Sequence, residues 1–389
     1  MRWIFVKKRM MMVLSYVLVA ALATVITLAV TAQQPQADSY TKLEQLSDLI
    51  EQRFIGEVDV TQMEDAAATA MIASLQDRWS YYIAAEEYAT HVEQMKNSYV
   101  GIGITITLAE DNSGFLIMVV NQGGPAEEAG LQVDDVIVAI EGTSCAGLST
   151  TDGRNLVRGE EGTQLQITVR RGEEELTLPV TRRQVDVPVA TAKMLDGNVG
   201  LVTITNFDAR CAQETIAAIE QLLDEGAEKL IFDVRNNPGG YADELVKVLD
   251  YLLPEGELFH TVDYAGKEDF DYSDEKHLDI PMAVLVNGDS YSAAEFFAAA
   301  MNEYDAAVIV GEQTTGKGYF QYTYQLNDGS AVGLSVGKYY TPNGISLEGV
   351  GITPELEVAV DEETYLAIYY GSLESSEDPQ ILAAVEALK

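Results

Sequence analysis

Met282-Ala283-Val284-Leu285-Val286-Asn287-Gly288-Asp289-Ser290-Tyr291-Ser292-Ala293-Ala294-Glu295-Phe296-Phe297-Ala298-Ala299-Ala300-Met301 is a short apolar run, a polar turn and an apolar helix in succession. The run 282–286 carries no polar side chain, which suits a strand buried on both faces. From Ser292 to Tyr304 the pattern is helical, and Phe296, Phe297, Ala300 and Met301 form an apolar stripe. Outward from this stretch the same alternation recurs. Residues 201–204, 230–234 and 307–310 read as further strands. Ile216, Ile219, Leu222 and Leu223 mark one intervening helix, and Leu245, Val248, Leu249 and Leu252 mark another. Such alternation implies right-handed crossovers and a largely parallel sheet. Sites in these sheets gather beyond the carboxyl ends of the strands. Asn236-Asn237-Pro238-Gly239-Gly240 and the 287–292 turn both fall there.

A serine hydroxyl is a weak nucleophile until a base takes its proton. Ser292 opens a helix whose positive end favours a developing anion. A serine in that place is also an ordinary N-cap. Ser290 competes for the same role, and the residues alone leave the two open. Lys317, in Gly316-Lys317-Gly318, follows the last strand. Most loop lysines are solvated, but flanking glycines allow close backbone approach, and burial would lower the amine pKa as a general base requires. A phosphate loop is excluded, because residue 318 is Gly and Gly311 has the wrong spacing. Gln321 could orient the amine, although a surface glutamine on a strand is the plainer reading. Asn237-Pro238-Gly239-Gly240 is either a tight turn or part of an oxyanion hole, in which a Gly239 or Gly240 N–H joins that of Ala293.

Upstream, residues 101–107 alternate with period two, the mark of a half-buried strand. Further strands read at 115–120, 136–140, 165–169 and 176–180, and Pro125 suits the first turn of a short helix. This unit, over about 100–183, has the size of a domain. Before it, Leu43, Leu46, Leu49, Ile50 and Phe54 recur at helical spacing, and 66–75 and 86–95 continue a small helical region. At the N-terminus Lys7, Lys8 and Arg9 precede an uncharged, mostly apolar run at 10–32. Its length suits a membrane-crossing helix, and the basic flank predicts a cytoplasmic N-terminus with the rest of the chain outside. Val30-Thr31-Ala32 keeps a cleaved signal peptide as the rival; the length of the run favours a retained anchor.

The chain has 389 residues, enough for two or three domains. Its balance of 24 basic against 62 acidic residues gives −38, which repels nucleic acid and anionic lipid surfaces. Cys145 and Cys211 fall in different expected domains, which argues against a structural disulfide. His91, His260 and His277 are scattered without metal-ligand spacing, so neither a metal nor a cofactor is expected.

The order of several motifs resembles the C-terminal processing peptidases, also called carboxyl-terminal or tail-specific proteases, over about 43–389. The pieces are Tyr99-Val100-Gly101-Ile102-Gly103-Ile104, Gly124-Pro125-Ala126, Asp134-Asp135-Val136-Ile137, Leu156-Val157-Arg158-Gly159, Asp233-Val234-Arg235-Asn236-Asn237-Pro238-Gly239-Gly240, Ser290-Tyr291-Ser292-Ala293-Ala294-Glu295, Gly316-Lys317-Gly318 and Tyr340-Thr341-Pro342-Asn343-Gly344. The resemblance implies a multidomain α+β protein. Residues 1–39 would be a cytoplasmic tail, transmembrane anchor and linker, and 40–98 a helical region. A PDZ domain would span 99–184, an α/β (crotonase/ClpP-like) serine peptidase core 185–360, and a C-terminal helical segment 361–389. Ser292 would be the nucleophile, Lys317 the base and Gln321 its orienting partner. The amides of Val100, Gly101, Ile102 and Gly103 would cradle a substrate C-terminus, as PDZ domains do. Arg158 matches an arginine that in some members couples PDZ occupancy to activity.

The implied protein is a single-pass enzyme of the bacterial cell membrane with its catalytic part extracytoplasmic. It would act on protein or peptide substrates with accessible C-termini, and a homodimer is compatible with the family. The alternatives are a non-catalytic PDZ scaffold that binds exported chain ends and a different acyl hydrolase on a related sheet. The chain departs from the family pattern twice. Tyr291 and Ala294 replace Ala and Ser beside the nucleophile, and Asp77-Arg78-Trp79-Ser80 stands where members commonly read Asp-Pro-His-Ser. The first is expected to alter the site's fit, and the second to leave the core chemistry untouched.

Overall fold

The computed structural model describes residues 41–121 and 123–389. The predicted anchor at 10–32 lies outside those residues. Among the described residues no helix is long and apolar enough to cross a membrane. The chain divides into two compact units, Met1–Ala70 and Met71–Lys389. The first contains helix Thr41–Arg53 and most of helix Val60–Ala73. The expected apolar stripe is present on Thr41–Arg53, with Leu43, Leu46 and Leu49 exposed.

The second unit is built around a six-stranded sheet. Its order is Ala190–Leu195, Val199–Ile204, Lys229–Asp233, Met282–Val286, Ala307–Gly311 and Leu356–Glu357. The first pair is antiparallel and every later pair is parallel. The central strands Met282–Val286 and Ala307–Gly311 read as unbroken apolar runs because both faces are covered. Leu230 and Phe232 face helices Cys211–Asp224, Ala242–Leu252 and Ala293–Glu303. Ile231 faces the other side, where Ile381, Ala384 and Leu388 of the chain's end pack. Helix Ala293–Glu303 is buried from Ala293 to Met301. That explains an apolar pattern broader than one stripe. Its Phe297 meets the rings of Phe207 and Phe232 at 5.8 and 5.5 Å between centroids.

A second, five-stranded antiparallel sheet runs Tyr81–Ile83, Ala331–Tyr340, Gly256–Asp263 and Glu268–Ser273, with Tyr319–Gln325 also paired to Ala331–Tyr340. Tyr81–Ile83 belongs to the stretch read as helical. A three-residue strand is too short to carry a period, and its pairing to Ala331–Tyr340 is long-range. Through it, the segment at 77–83 joins the same body as the parallel sheet.

The strand-rich module has its own sheet, Ile104–Leu108, Phe115–Val120, Val136–Ile140, Gln164–Arg171 and Glu174–Thr181, over a core that includes Phe115, Ile117, Ile137 and Ile167. Ser98–Gly101 pairs with Arg183–Asp186, so the chain enters and leaves side by side. The single strand expected at 101–107 is therefore two, broken at Gly103, whose φ of +74° is a turn conformation natural to glycine. Cys145 and Cys211 are both buried and free.

One buried ion network ties the C-terminal helix Pro379–Ala387 to the sheet. Arg235 pairs with Asp233 at 2.6 Å and with Asp378 at 2.9 Å, and it donates to Gln380 at 2.8 Å. Asp378 also caps the helix, accepting from the N–H groups of Gln380 and Ile381. Asp378→Ala leaves Arg235 paired with Asp233 but removes its second carboxylate and the helix cap together, so it is expected to lower stability by about 3 kcal/mol in chemical denaturation. Lys193→Ala, at the exposed 3.9 Å pair with Glu374, is expected to stay within about 0.5 kcal/mol.

Candidate active site

The parallel strands deliver three loops to one edge of the sheet. One follows Lys229–Asp233 and carries Gly239 and Gly240. One follows Met282–Val286 and carries Ser290 and Ser292. One follows Ala307–Gly311 and carries Lys317.

Ser290 and Ser292 have different surroundings. The Ser290 hydroxyl is fully buried, donates to the Val234 carbonyl at 2.7 Å and accepts from the Asn287 N–H at 3.0 Å. It fastens one loop to the next. Ser292 is the N-cap residue of Ala293–Glu303, with φ 58° and ψ −124°. That backbone is costly for a residue with a Cβ, about 1–3 kcal/mol, and such strain gathers at functional sites.

Glu295, fully buried in an otherwise apolar stretch of helix, holds this conformation. Its side chain accepts four hydrogen bonds. Oε2 takes the N–H of Ser292 at 3.0 Å and of Lys317 at 2.7 Å. Oε1 takes the N–H of Gly316 at 2.7 Å and the hydroxyl of Thr314 at 2.5 Å. A single carboxyl group therefore sets the backbone of Ser292 against the backbone of Lys317. The sequence held a signal for half of this, since Ser-x-x-Glu at a helix start marks a capping box. The reach to residues 314–317 needs the fold.

The glycine turn presses on Ser292. A Cβ on Gly239, whose φ is +89°, would lie 2.7 Å from Ser292 Cβ and 2.8 Å from Ala293 N. The Gly239 N–H donates to Asn237 Oδ1 at 2.8 Å. A backbone bridge between Phe207 and Gly240 uses Gly239 O and Tyr241 N. Among the described residues the N–H groups of Gly240 and Ala293 have no acceptor. Beside Ser292 lies a small hollow walled by Ala242, Leu245, Phe259, Phe296 and Tyr339.

Lys317 is half-buried. Burial holds its amine below the ordinary lysine value, against Asp77, Glu348 and Glu295, which favour the charged form; Arg78 pushes the same way as burial. Among the described residues no hydrogen bond or ion pair engages the amine. Nζ sits 5.0 Å from the centroid of Trp79 and 5.7 Å from that of Tyr291. Catalytic hydrogen bonds are often long before substrate binds. Gln321 does not reach the amine: its side-chain amide donates to Tyr319 O at 3.1 Å and Ser335 Oγ at 3.0 Å. Trp79 was missed from sequence. Strand Tyr81–Ile83 brings the Asp77–Ser80 departure, expected to leave the core chemistry untouched, against the lysine, with the Trp79 ring 5.0 Å from its amine.

In the strand-rich module, Val100, Gly101, Ile102, Gly103 and Arg158 line one groove of about 830 Å³. Ile104, Phe115, Ile137 and Ile140 give it an apolar floor. Arg154 lines it as well, and helix Ala85–Met95 contributes Thr90 and Glu93; the sequence reading named none of these three. Among the described residues Arg158 pairs with no carboxylate.

The four bonds to Glu295 yield a prediction. Glu295→Ala leaves four donors without an acceptor and is expected to destabilise the fold by about 3 kcal/mol or more in denaturation. Glu295→Gln keeps the shape but turns an NH₂ towards two donors. Misplacement of catalytic groups by about 1 Å lowers turnover on the order of 100-fold, and both variants are expected to fall at least that far in a peptide assay. Wild-type turnover in Glu295→Gln would show that the clamp does not position these groups.

Comparison with known proteins accords with this organisation. Residues 198–358 match the model of peptidase family S41, 116–171 match a PDZ domain, and 16–87 match the activating protease CtpB N-terminal domain. The carboxy-terminal processing protease CtpA of Bacillus subtilis is 30% identical over 368 residues, covering 92% of this chain and 78% of that protein. A probable CtpA-like serine protease of Staphylococcus aureus is 28% identical over 377 residues, covering 94% and 74%. The crystal structure of a putative S41 protease from Bacteroides fragilis shares the fold, with a TM-score of 0.54 at 20% identity over 88% of this chain and 96% of that one. With a helical N-terminal region, a PDZ domain and an S41 core, the chain belongs to the C-terminal processing peptidases of family S41 and is a serine peptidase.

Proposed function

We propose that this peptidase works through a Ser292/Lys317 dyad on protein substrates captured by their C-termini, outside the cytoplasm and tethered by the 10–32 segment. The observation that carries the dyad is the Glu295 clamp, which ties the backbones of the strained serine and the desolvated lysine to one side chain. Neutral Lys317 accepts the Ser292 proton as Oγ attacks the scissile carbonyl carbon. The Gly240 and Ala293 N–H groups stabilise the oxyanion. When the tetrahedral intermediate collapses, the Lys317 ammonium protonates the leaving amine. Water then attacks the acyl-enzyme, giving a proton to Lys317, and Ser292 regains its hydrogen as the acid product leaves. Gly240 is preferred over Gly239 as a donor because the Gly239 N–H is already engaged. The apolar hollow beside Ser292 suits a small apolar side chain before the scissile bond.

The groove at 100–106 supports substrate capture. An extended chain end can add as a strand there, with its carboxylate on the Ile102 and Gly103 amides and Arg158 nearby. The basic flank of the 10–32 run supports the tether and its orientation. A homodimer would close on the exposed stripe of Thr41–Arg53.

Cleavage of an unstructured protein tests the reading. Ser292→Ala is expected to lose at least about 10⁴-fold and Lys317→Ala roughly 10²–10⁴-fold. Lys317→Arg is expected to fail similarly, since a guanidinium keeps its proton. Only the neutral amine accepts a proton, so the rate should rise with pH, with a midpoint below the ordinary lysine value of 10.5. Amidating the substrate C-terminus removes a charge-assisted contact and should raise KM roughly 10- to 100-fold. Wild-type cleavage by Ser292→Ala or Lys317→Ala would overturn the dyad, and an indifferent KM would overturn C-terminal capture.

A further inference from the structure

The two departures from the family pattern meet in space. Trp79 stacks on Tyr291 with ring centroids 6.0 Å apart and an angle of 28° between planes. Lys317 Nζ lies within cation–π range of both rings, at 5.0 and 5.7 Å. Tyr291 immediately precedes the nucleophile. Trp79 is held firmly. Its indole N–H donates to Glu348 Oε1 at 3.2 Å, and Glu348 Oε2 accepts from the Gly318 N–H at 2.8 Å, next to the lysine. Its backbone N–H donates to Asp77 Oδ1 at 3.1 Å. Asp77 Oδ2 accepts from Ser80 Oγ, which in turn accepts from the Ser335 N–H. Trp79 is therefore tied at its indole N–H to the lysine loop through Glu348 and at its backbone to strand Ala331–Tyr340 through Asp77 and Ser80.

We propose that Trp79 and Tyr291 form a two-ring seat for the ammonium form of Lys317, which holds the base away from Ser292 until it loses its proton. This rests on the reading of Lys317 as the general base. A ring face attracts a charged amine and has little hold on a neutral one. Proton loss thus frees the side chain to turn to the serine; the ammonium formed there gives its proton to the leaving amine, and the rings recapture the side chain only when it takes up a proton from solvent between turnovers. The rings are positioning residues: they act on the base and touch no reacting atom. The seat works among other charges. Asp77 from the preceding loop, Glu348 from the loop opposite and Glu295 from the helix favour the charged amine; burial and Arg78 oppose it. Arg78 lies 4.0 Å from the Trp79 ring centroid, so it also competes for that ring's electrons.

The experiment compares pH–rate profiles of the full-length enzyme with Trp79→Leu, Trp79→Phe, Tyr291→Leu and Tyr291→Phe. Leucine retains apolar bulk and burial without a ring face; phenylalanine retains a face. Losing a face destabilises the ammonium, so each Leu variant is expected to move the alkaline rise to lower pH by about one unit, while each Phe variant stays near wild type. A second readout does not depend on activity. The pH dependence of Lys317 acetylation by acetic anhydride, followed by peptide mass spectrometry, should move by the same amount in the Ser292→Ala background. Lower rates at every pH with both midpoints unmoved would overturn the seat and assign the rings a packing role. If Lys317→Ala cleaved at the wild-type rate while the acetylation midpoint still shifted, the base reading would fail and the seat would survive only as a binding contact.

Discussion

Four donors converging on the Glu295 side chain are the constraint on which the rest of the site depends. A buried carboxyl group is expensive unless its oxygens are fully used. Here one oxygen holds the N–H of Ser292 and of Lys317, and the other holds Gly316 and Thr314. The acid thus turns its own burial requirement into a fixed geometry. It keeps Ser292 in a backbone region that a serine avoids on its own. It also makes the lysine loop a neighbour of the serine helix, although the two lie on successive strands. Gly239 completes the arrangement from the third loop, where any larger residue would strike Ser292.

Around that centre the fold assigns separate tasks to separate layers. The parallel sheet, sealed on both faces, supplies rigidity and the common edge. The antiparallel sheet binds the 77–83 segment to the core and thereby brings aromatic surface to the lysine. The same segment continues into helix Ala85–Met95, whose Thr90 and Glu93 border the PDZ groove. A single stretch of chain therefore reaches both Lys317 and the wall of the PDZ groove.

Much of this was legible in the sequence because burial leaves a pattern. The apolar run at 282–286 and the nearly apolar one at 230–234 read as buried strands, and strand–helix alternation placed their loops at one edge. The residues alone left Ser290 and Ser292 open, because the bond from Ser290 to Val234 crosses between strands far apart in sequence. Gly239 and Gly240 were likewise inseparable, since the Asn237 side chain decides which N–H stays free. Trp79 was illegible for a similar reason. Nothing local marks a tryptophan between two helical stretches, and its position follows from a three-residue strand pairing with Ala331–Tyr340. Both departures from the family pattern were visible as separate local changes; only the stacking of Trp79 on Tyr291 joins them.

The central claim is that Ser292 is made nucleophilic by Lys317. Labelling with a fluorophosphonate, located by peptide mass spectrometry, tests it most directly because it needs no substrate. Label is expected on Ser292 in the wild type, increasing with pH as Lys317 loses its proton, with little or none in Lys317→Ala. Label on Ser290, or label on Ser292 that is indifferent to Lys317→Ala, would contradict it.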